Sequence, residues 1–480
     1  MKGAARDYSL TGASAAEARR RGLADATWYQ APVPPERLQQ LARRTNGRAA
    51  RDTALWVALL VASGAVAALT YPTWWCVPAF LVYGALYGGA ADSRWHECGH
   101  GTAFANARAN DVVYPIASFM VLRNPTQWRW SHVRHHTDTI IVGRDPEIAA
   151  PRPPSLRSFI GAFVHVVPTW NAVREIAAQA AGRVSGDVAD YTPADERGKV
   201  VRSSRVYVVI LLAVVVTCVV TRSLLPALLV GLPTVYGGWL MVLFGFTQHY
   251  GLRENVLDHR QNTRSVRMNP VFRFLYLNMN YHVEHHMFPT IPYRSLPALH
   301  EEVKDHLPPI MPNTFAAYRE VLRAIRHQSV DPTWEISDRG IPGIDTPAVA
   351  DATDGGEASL VVSDDGSVNL GPVAALARGA LRRIDLGGQT FVLCRAADGA
   401  VALLDGWCTH GHAHLGAGVL RGATIECPKH NGRFELATGA ACRRPAREPL
   451  GVHRVEIVDR RIVGHVPAAP PSIVAVDPSE

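Results

Sequence analysis

The chain has 480 residues, enough for two or more domains. Its mean hydropathy of 0.00 is high for a soluble protein with 19% charged residues. A formal charge of +7 raises nucleic acid as a partner, but no nucleic-acid motif is present, and basic flanks beside apolar spans suit anionic headgroups instead.

Residues 1–52 are Arg-rich and irregular, with a proline break at 32–35, and are expected to form a basic cytoplasmic segment. They put no apolar core behind their first charges, so no cleaved signal peptide is expected. The apolar runs 54–70 and 72–91 are separated by almost nothing and predict a helical hairpin across a bilayer, with Trp74 and Trp75 at its interfacial turn. The runs 206–221 and 224–246, broken at 222–223, predict a second hairpin. The first member of each pair is short, which calls for a thin or tilted arrangement. Two hairpins place 1–52, 92–205 and 248–480 on one side. Arg19, Arg20, Arg21, Arg43, Arg44, Arg48, Arg51, Arg129 and Arg134 all lie there, which makes that side the cytoplasm. The stretches 112–122 and 159–167 are too short to cross and are expected to lie in the interface or cover a buried site.

Residues 336–359 carry Pro, Gly, Asp and Thr and read as a flexible linker. Beyond them, short β-like runs such as 391–393, 401–403 and 455–458 alternate with Gly and Asp turns. The expected architecture is an α-helical membrane protein, with four transmembrane helices in two hairpins and a cytoplasmic helical cap, followed by a C-terminal all-β domain. Its parts are 1–52, a membrane domain 53–335, the linker 336–359 and the β-domain 360–480.

Half of the 20 histidines fall into five tight motifs. His96-Glu97-Cys98-Gly99-His100 follows the second span, and on a continuing helix its two imidazoles share one face. His132-Val133-Arg134-His135-His136 and His282-Val283-Glu284-His285-His286 repeat one HxxHH pattern. One such box reads as a polar interfacial helix, but three boxes on one membrane side point to metal. Neutral imidazole suits Fe, Zn, Cu or Ni, and eight rings are too many for one ion but suit two. Zinc has no redox chemistry, whereas paired iron reduces O2 and oxidises C–H bonds. Asp92, Glu97 and Glu284 are placed to accept the distal N–H of a box histidine and fix its orientation, with a solvated role as the alternative. His165, His259, His300, His306 and His327 lack box spacing and read as structural or surface residues.

In the C-terminal part, Cys408-Thr409-His410 precedes Cys427-Pro428-Lys429-His430 by 16 residues. Two thiolates on one iron and two imidazoles on the other make a Rieske-type [2Fe–2S] centre. Leu415, Gly418, Phe434 and Gly439 stand as in Rieske ferredoxins. A zinc site of two cysteines and two histidines is the alternative, though zinc spacings seldom take this form in a β-domain. Ala413 and Lys429 occupy the places of the extra cysteines of respiratory Rieske proteins, so the domain resembles the ferredoxins that serve oxygenases. His412 and His414 are expected to be exposed on the cluster-bearing loop, where they tune potential or docking. The electron-transfer domain tips the choice of metal toward iron.

The HECGH, HVRHH and HVEHH boxes resemble those of the membrane fatty acid desaturase and hydroxylase superfamily, over roughly residues 50–325. The segment Thr247-Gln248-His249-Tyr250-Gly251-Leu252 is similar to a stretch of the related alkane hydroxylases, whose matching histidine is a metal ligand. Taken alone, a histidine after an apolar helix is a cap or interface residue. The resemblance nominates it as a ninth ligand, giving His96, His100, His132, His135, His136, His249, His282, His285 and His286 around two non-haem irons, with no catalytic residue beyond them. There is no haem motif of the cytochrome b5 type and no dinucleotide fingerprint, so a separate NAD(P)H-dependent flavin reductase is expected to feed the [2Fe–2S] cluster. The resemblance implies O2-dependent desaturation or hydroxylation of an unactivated aliphatic C–H, on a fatty acyl or lipid substrate, by a multi-pass enzyme of the inner cell membrane. One rival is hydroxylation or O-demethylation of a small metabolite such as an inositol methyl ether, since the chain also looks like the superfamily's rhizopine-catabolism oxygenase fused to its Rieske ferredoxin. A rival of another class is a non-catalytic metal or redox sensor.

Overall fold

The structure is a computed structural model that describes residues 6–24, 26–149, 151–336, 339–343, 363, 366–386, 388–411 and 413–466. The chain divides into two compact units, residues 1–31 with 43–346 and residues 32–42 with 347–480.

In the first unit, three helices among the described residues are long and apolar enough to cross a bilayer: Gly47–Thr70, Arg197–Thr221 and the run Leu225–Gln248, of 24, 25 and 24 residues. Their outward side chains, among them Val61, Leu69, Val209 and Val219, are left uncovered by protein, as a lipid-facing surface requires. The predicted second span is built differently. Residues Cys76–Gly84 are α-helical, Ala85–Gly89 form a π-turn, and Ala90–His100 resume as α-helix without a break. The apolar run ends within this helix, where Asp92, Arg94 and Glu97 begin the first histidine box.

The π-turn lies where this helix meets the helix Pro233–Gln248 backbone to backbone. A Cβ on Gly237 would stand 1.8 Å from the Gly84 carbonyl oxygen, and one on Gly88 would stand 2.5 Å from the Pro233 oxygen. Small residues permit such contact where lipid offers no hydrophobic drive. An extra residue in a helical turn rotates every later side chain about the helix axis, and here the turn sets the facing of the first box.

Helices Ala107–Met120, Leu156–Val164 and Val166–Ala180 cover the regions read as interfacial. Val112, Ile116, Ile160 and Val164 on them are more than half exposed, the pattern of helices lying flat at an interface. The N-terminal segment departs from the irregular reading: Ala13–Arg20 and Pro35–Leu41 are helical. The proline break supplies Pro35 at the first helical position, where a missing N–H costs nothing. The start of the expected linker is also ordered, because Arg339 donates to the Arg260 and Thr263 carbonyls at 2.7 and 2.9 Å. The rest of that linker, from residue 344, lies outside the described residues.

The second unit is a β-domain. One antiparallel sheet holds Ala380–Leu386, Gln389–Arg395, Val401–Asp405 and Val452–His453. Strand alternation sends Val392 and Cys394 into a core with Leu415, Phe434 and both Cys408 and Cys427. It sends Phe391 and Leu393 into a second core with Leu370 and Ile462. A sheet from Val419–Arg421 to Ala441–Arg443 carries the second cysteine loop. The helix Pro35–Leu41 packs on this domain: Gln39 donates to the Gly379 carbonyl, and Arg421 donates to the Ala42 carbonyl at 2.9 Å.

Gly237→Val is expected to abolish recovery of monodisperse protein from detergent. Gly245→Ala, where an added Cβ meets nothing within 4 Å, is expected to leave recovery unchanged. Equal recovery by size-exclusion chromatography would contradict the backbone contact.

Candidate metal centre and cluster loops

The helix Ala90–His100 brings His96 and His100 to one face, with ring centroids 4.9 Å apart. Pro125–Thr137 carries the second box; Asn124 caps it by accepting from the Thr126 and Gln127 N–H groups at 3.1 and 3.2 Å. The third box occupies a six-residue helix, His282–Met287, and His249 is the C-cap of Pro233–Gln248. Their ring nitrogens converge in two groups. His96, His100, His132, His136 and His285 each bring one nitrogen within 4.8 Å of the others, and His135, His249 and His286 do the same. The Nε2 atom of His282 joins the second group, 3.1 Å from those of His249 and His286. All nine nominated histidines therefore lie in one cluster, with His100 and His249 half-buried and the others buried.

The groups behind the rings define what faces the centre. Glu147 accepts from His132 Nδ1 at 3.2 Å and from the Ser131 hydroxyl at 2.8 Å. Asp145 accepts from His135 Nδ1 at 2.9 Å. The Asn262 carbonyl accepts from His249 Nδ1, also at 2.9 Å. A neutral imidazole carries one proton, so these rings turn a bare Nε2 lone pair inward. His132 Nε2 then stands 3.1 Å from the Nε2 atoms of both His100 and His136. Two nitrogens about 2.1 Å from one ion and at right angles around it are about 3.0 Å apart. Among the described residues, both ring nitrogens of His96 are buried with no hydrogen-bond partner, and a cation would satisfy its bare lone pair. Burial pushes His96, His136, His282, His285 and His286 well below the ordinary imidazole pKa, and neighbouring imidazoles add to the shift. Burial also opposes charge on His135, but Asp145 outweighs it and raises that pKa. The donor set fits a pair of divalent metal ions.

The three carboxylates nominated beside the boxes do not reach a box histidine. Asp92 pairs with Arg123, whose guanidinium lies 4.3 and 4.6 Å from the Trp95 and Trp128 ring centroids. Glu97 accepts from the Tyr293 N–H at 3.0 Å, and burial raises its pKa to about 7. Glu284 pairs with His300 and accepts from Ser265. Helix geometry explains this: Glu97 and Glu284 each sit next to a ligand in sequence and so point away from it. The carboxylates that do the work are Asp145 and Glu147, in the loop after the second box. Their only signal was an Asp-x-Glu pair shortly beyond HVRHH.

In the β-domain, the two cysteine loops are closed by Cys408 N–H to Ala413 O at 3.0 Å and Cys427 N–H to Gly432 O at 2.8 Å. The two sulfurs adjoin. The Cys408 thiol is lowered to about 7, first by its hydrogen bond with Cys427 and, against burial, by the N–H groups of His410 and Gly411. The rings of His410 and His430 stand 5.0 Å apart. His414 is not on the exposed loop surface as expected: it is turned inward, its Nε2 2.8 Å from Thr390 Oγ1 and its Nδ1 accepting from the Gly416 N–H at 3.0 Å. His412 lies outside the described residues.

A histidine cluster beside helices apolar enough to cross a bilayer, in one chain with a two-cysteine, two-histidine β-domain, fits an oxidoreductase with an iron–sulfur domain. The sequence profile of the fatty acid desaturase family matches residues 72–318, just over half of the chain, and that of the Rieske [2Fe-2S] domain matches residues 366–458. The chain belongs to the fatty acid desaturase family and carries a Rieske [2Fe–2S] domain. It is similar to ferredoxin CarAc of Metapseudomonas resinovorans, with 39% identity over 18% of this chain and 78% of the relative. It is also similar to the ferredoxin component of the naphthalene 1,2-dioxygenase system of Pseudomonas putida, with 38% identity over 14% of this chain and 64% of the relative, just under two thirds of that protein. Among solved structures, the ferredoxin of carbazole 1,9a-dioxygenase from Nocardioides aromaticivorans IC177 is 29% identical over 20% of this chain and 95% of that one, with a TM-score of 0.20.

Asp145→Ala and Glu147→Ala are each expected to weaken iron retention about 10- to 100-fold, measured by chelator competition, whereas Asp92→Asn is not. Wild-type retention in both alanine variants would show that these carboxylates do not support the ligands. The β-domain supplies a pH test. Burial lowers His414 from 6.5 to about 4, so the unfolded chain binds the extra proton first. Stability is therefore full above the unfolded pKa and is lost as pH falls from 6.5 toward 4. Thermal melts followed at the cluster absorbance are expected to show this acid sensitivity reduced in His414→Gln; an unchanged pH profile would sink the assignment.

Proposed function

We propose that this protein is a multi-pass membrane oxygenase. It would hold two irons on His96, His100, His132, His135, His136, His249, His282, His285 and His286, and oxidise an unactivated aliphatic C–H with O2. The observation that carries this reading is the convergence of bare Nε2 lone pairs in two adjoining groups, each braced from behind. Bound there, paired iron supplies O2 reduction and hydrogen removal from carbon. The chain's own contribution is positional: burial disfavours charge on His96, His136, His249, His282, His285 and His286, and Asp145, Glu147 and the Asn262 carbonyl aim the rings of His135, His132 and His249. In this reading the apolar part of the helix through residues 76–100, ending at residue 91, is the second of four spans and pairs with Gly47–Thr70, and the Arg-rich parts face the cytoplasm at the inner membrane. Residues 53–335 form the oxygenase part and 360–480 the donor part, which carries its [2Fe–2S] cluster on Cys408, His410, Cys427 and His430 and is reduced by a separate NAD(P)H-dependent flavin reductase.

Family membership favours a fatty acyl or lipid substrate, desaturated or hydroxylated. A second reading, hydroxylation or O-demethylation of a small metabolite such as an inositol methyl ether, draws on two observations. The Asp92–Arg123 pair between Trp95 and Trp128 puts charge one helical turn from His96, which an acyl chain does not need. The ferredoxin relatives also belong to dioxygenase systems named for small molecules, naphthalene and anthranilate among them.

Purified full-length protein with NADH and a generic ferredoxin reductase is expected to consume O2 in a substrate-dependent manner. Cys408→Ser is expected to abolish NADH-driven turnover and spare a single turnover driven by dithionite, while His249→Ala abolishes both. Zinc alone, or one ion, at the histidine centre of active protein would end this reading, and unchanged cellular fatty acids would move the substrate to the small metabolite.

A further inference from the structure

The N-terminal segment, read from sequence as irregular, crosses the ends of two histidine-box helices. A helix leaves its last carbonyls without intrahelical donors. The indole Nε1 of Trp28 donates to the Thr137 carbonyl, the final residue of the second-box helix, at 3.0 Å. Two residues on, Gln30 Nε2 donates to the Met287 carbonyl, the final residue of the third-box helix, at 2.9 Å. Between them the Tyr29 N–H donates to the Leu257 carbonyl at 2.9 Å. The Trp28 ring also stacks on His259, with centroids 4.3 Å apart and planes 9° from parallel. His259 in turn lies 5.1 Å from the His286 ring.

The strap is itself anchored. Ala18, Leu23 and Ile141 form a buried cluster against which Trp28 and Leu257 pack. Tyr8 donates to Glu254 at 2.8 Å and accepts from the Arg152 N–H at 2.8 Å. The third-box helix has six residues, too few to hold its shape unaided. The separation of the two boxes, seen in the 4.9 Å between the His135 and His286 rings, is therefore bridged by groups outside either box.

We propose that Trp28 and Gln30 are positioning residues of the metal centre: they fix the second-box helix against the third and so hold the ion bound by His135, His249 and His286. This rests on the two-iron reading of the site. Neither residue touches the reacting atoms; both act through the helix ends, and Trp28 also through His259.

The test uses purified full-length protein, its non-cluster iron counted as the iron left after acid-labile sulfide fixes the cluster's share, with Mössbauer spectra alongside. Trp28→Ala loses both the donor and the stack, Trp28→Phe loses the donor alone, and Gln30→Glu keeps the shape but cannot donate. Trp28→Ala and Gln30→Glu are expected to retain one non-cluster iron about 10-fold more weakly than wild type, with one iron's Mössbauer signal lost. Trp28→Phe is expected to fall between them and wild type, and all three to keep an intact Rieske absorbance. Where Trp28→Ala does not fold, the other two carry the measurement. Full occupancy and unchanged spectra in Trp28→Phe and Gln30→Glu would overturn the strap's role and leave the two-iron site standing. A wild-type protein with one non-cluster ion would remove the reading beneath it.

Discussion

Imidazole lone pairs aimed at one another in a buried space repel, and nothing in the protein interior relieves them except a cation. His132 Nε2 stands about a hydrogen-bond length from two other Nε2 atoms while its own proton is committed to Glu147. The histidine-bearing helices and their connecting loops are arranged around this unfavourable geometry. It is held by capping at Asn124 and by the groups behind the rings. Much of the first unit's buried polar content serves that end.

The scaffold must also bring the first box to the right height and facing. It does so with little side-chain volume. Gly84 and Gly88 lie against the backbone of residues 233–238, and the π-turn at Ala85–Gly89 turns His96 and His100 toward the other boxes. Where the apolar run gives way, Asp92 pairs with Arg123, Arg94 donates to the Phe274 and Leu275 carbonyls, and Glu97 accepts from the Tyr293 N–H.

The sequence was legible where chemistry repeats at short range. The histidine boxes, the two cysteine–histidine pairs and the apolar runs each announce themselves within a few residues, and the structure gathers all nine box and cap histidines. It was less legible where partners come from afar. Asp92 turned to Arg123, Glu284 to His300, and the bracing of His132 and His135 fell to Glu147 and Asp145, which had no box of their own. His414 reads as exposed on the cluster-bearing loop, yet Thr390 from an adjacent strand holds it half-buried. Residues 28–30 gave no sign, since their role exists only once two helix ends stand beside them.

The helix Pro35–Leu41 belongs by packing to the β-domain, although more than 300 residues of chain separate it from the first strand, Ser367–Pro372. The iron–sulfur part is therefore not a simple appendage. A recombination event that cut or joined the gene only at the linker would leave one of its helices behind, ahead of the first unit's histidine-box helices. Inheritance of the two halves is thereby bound together, and modular exchange of this carrier for another would need to be matched on both sides of the histidine-bearing helices.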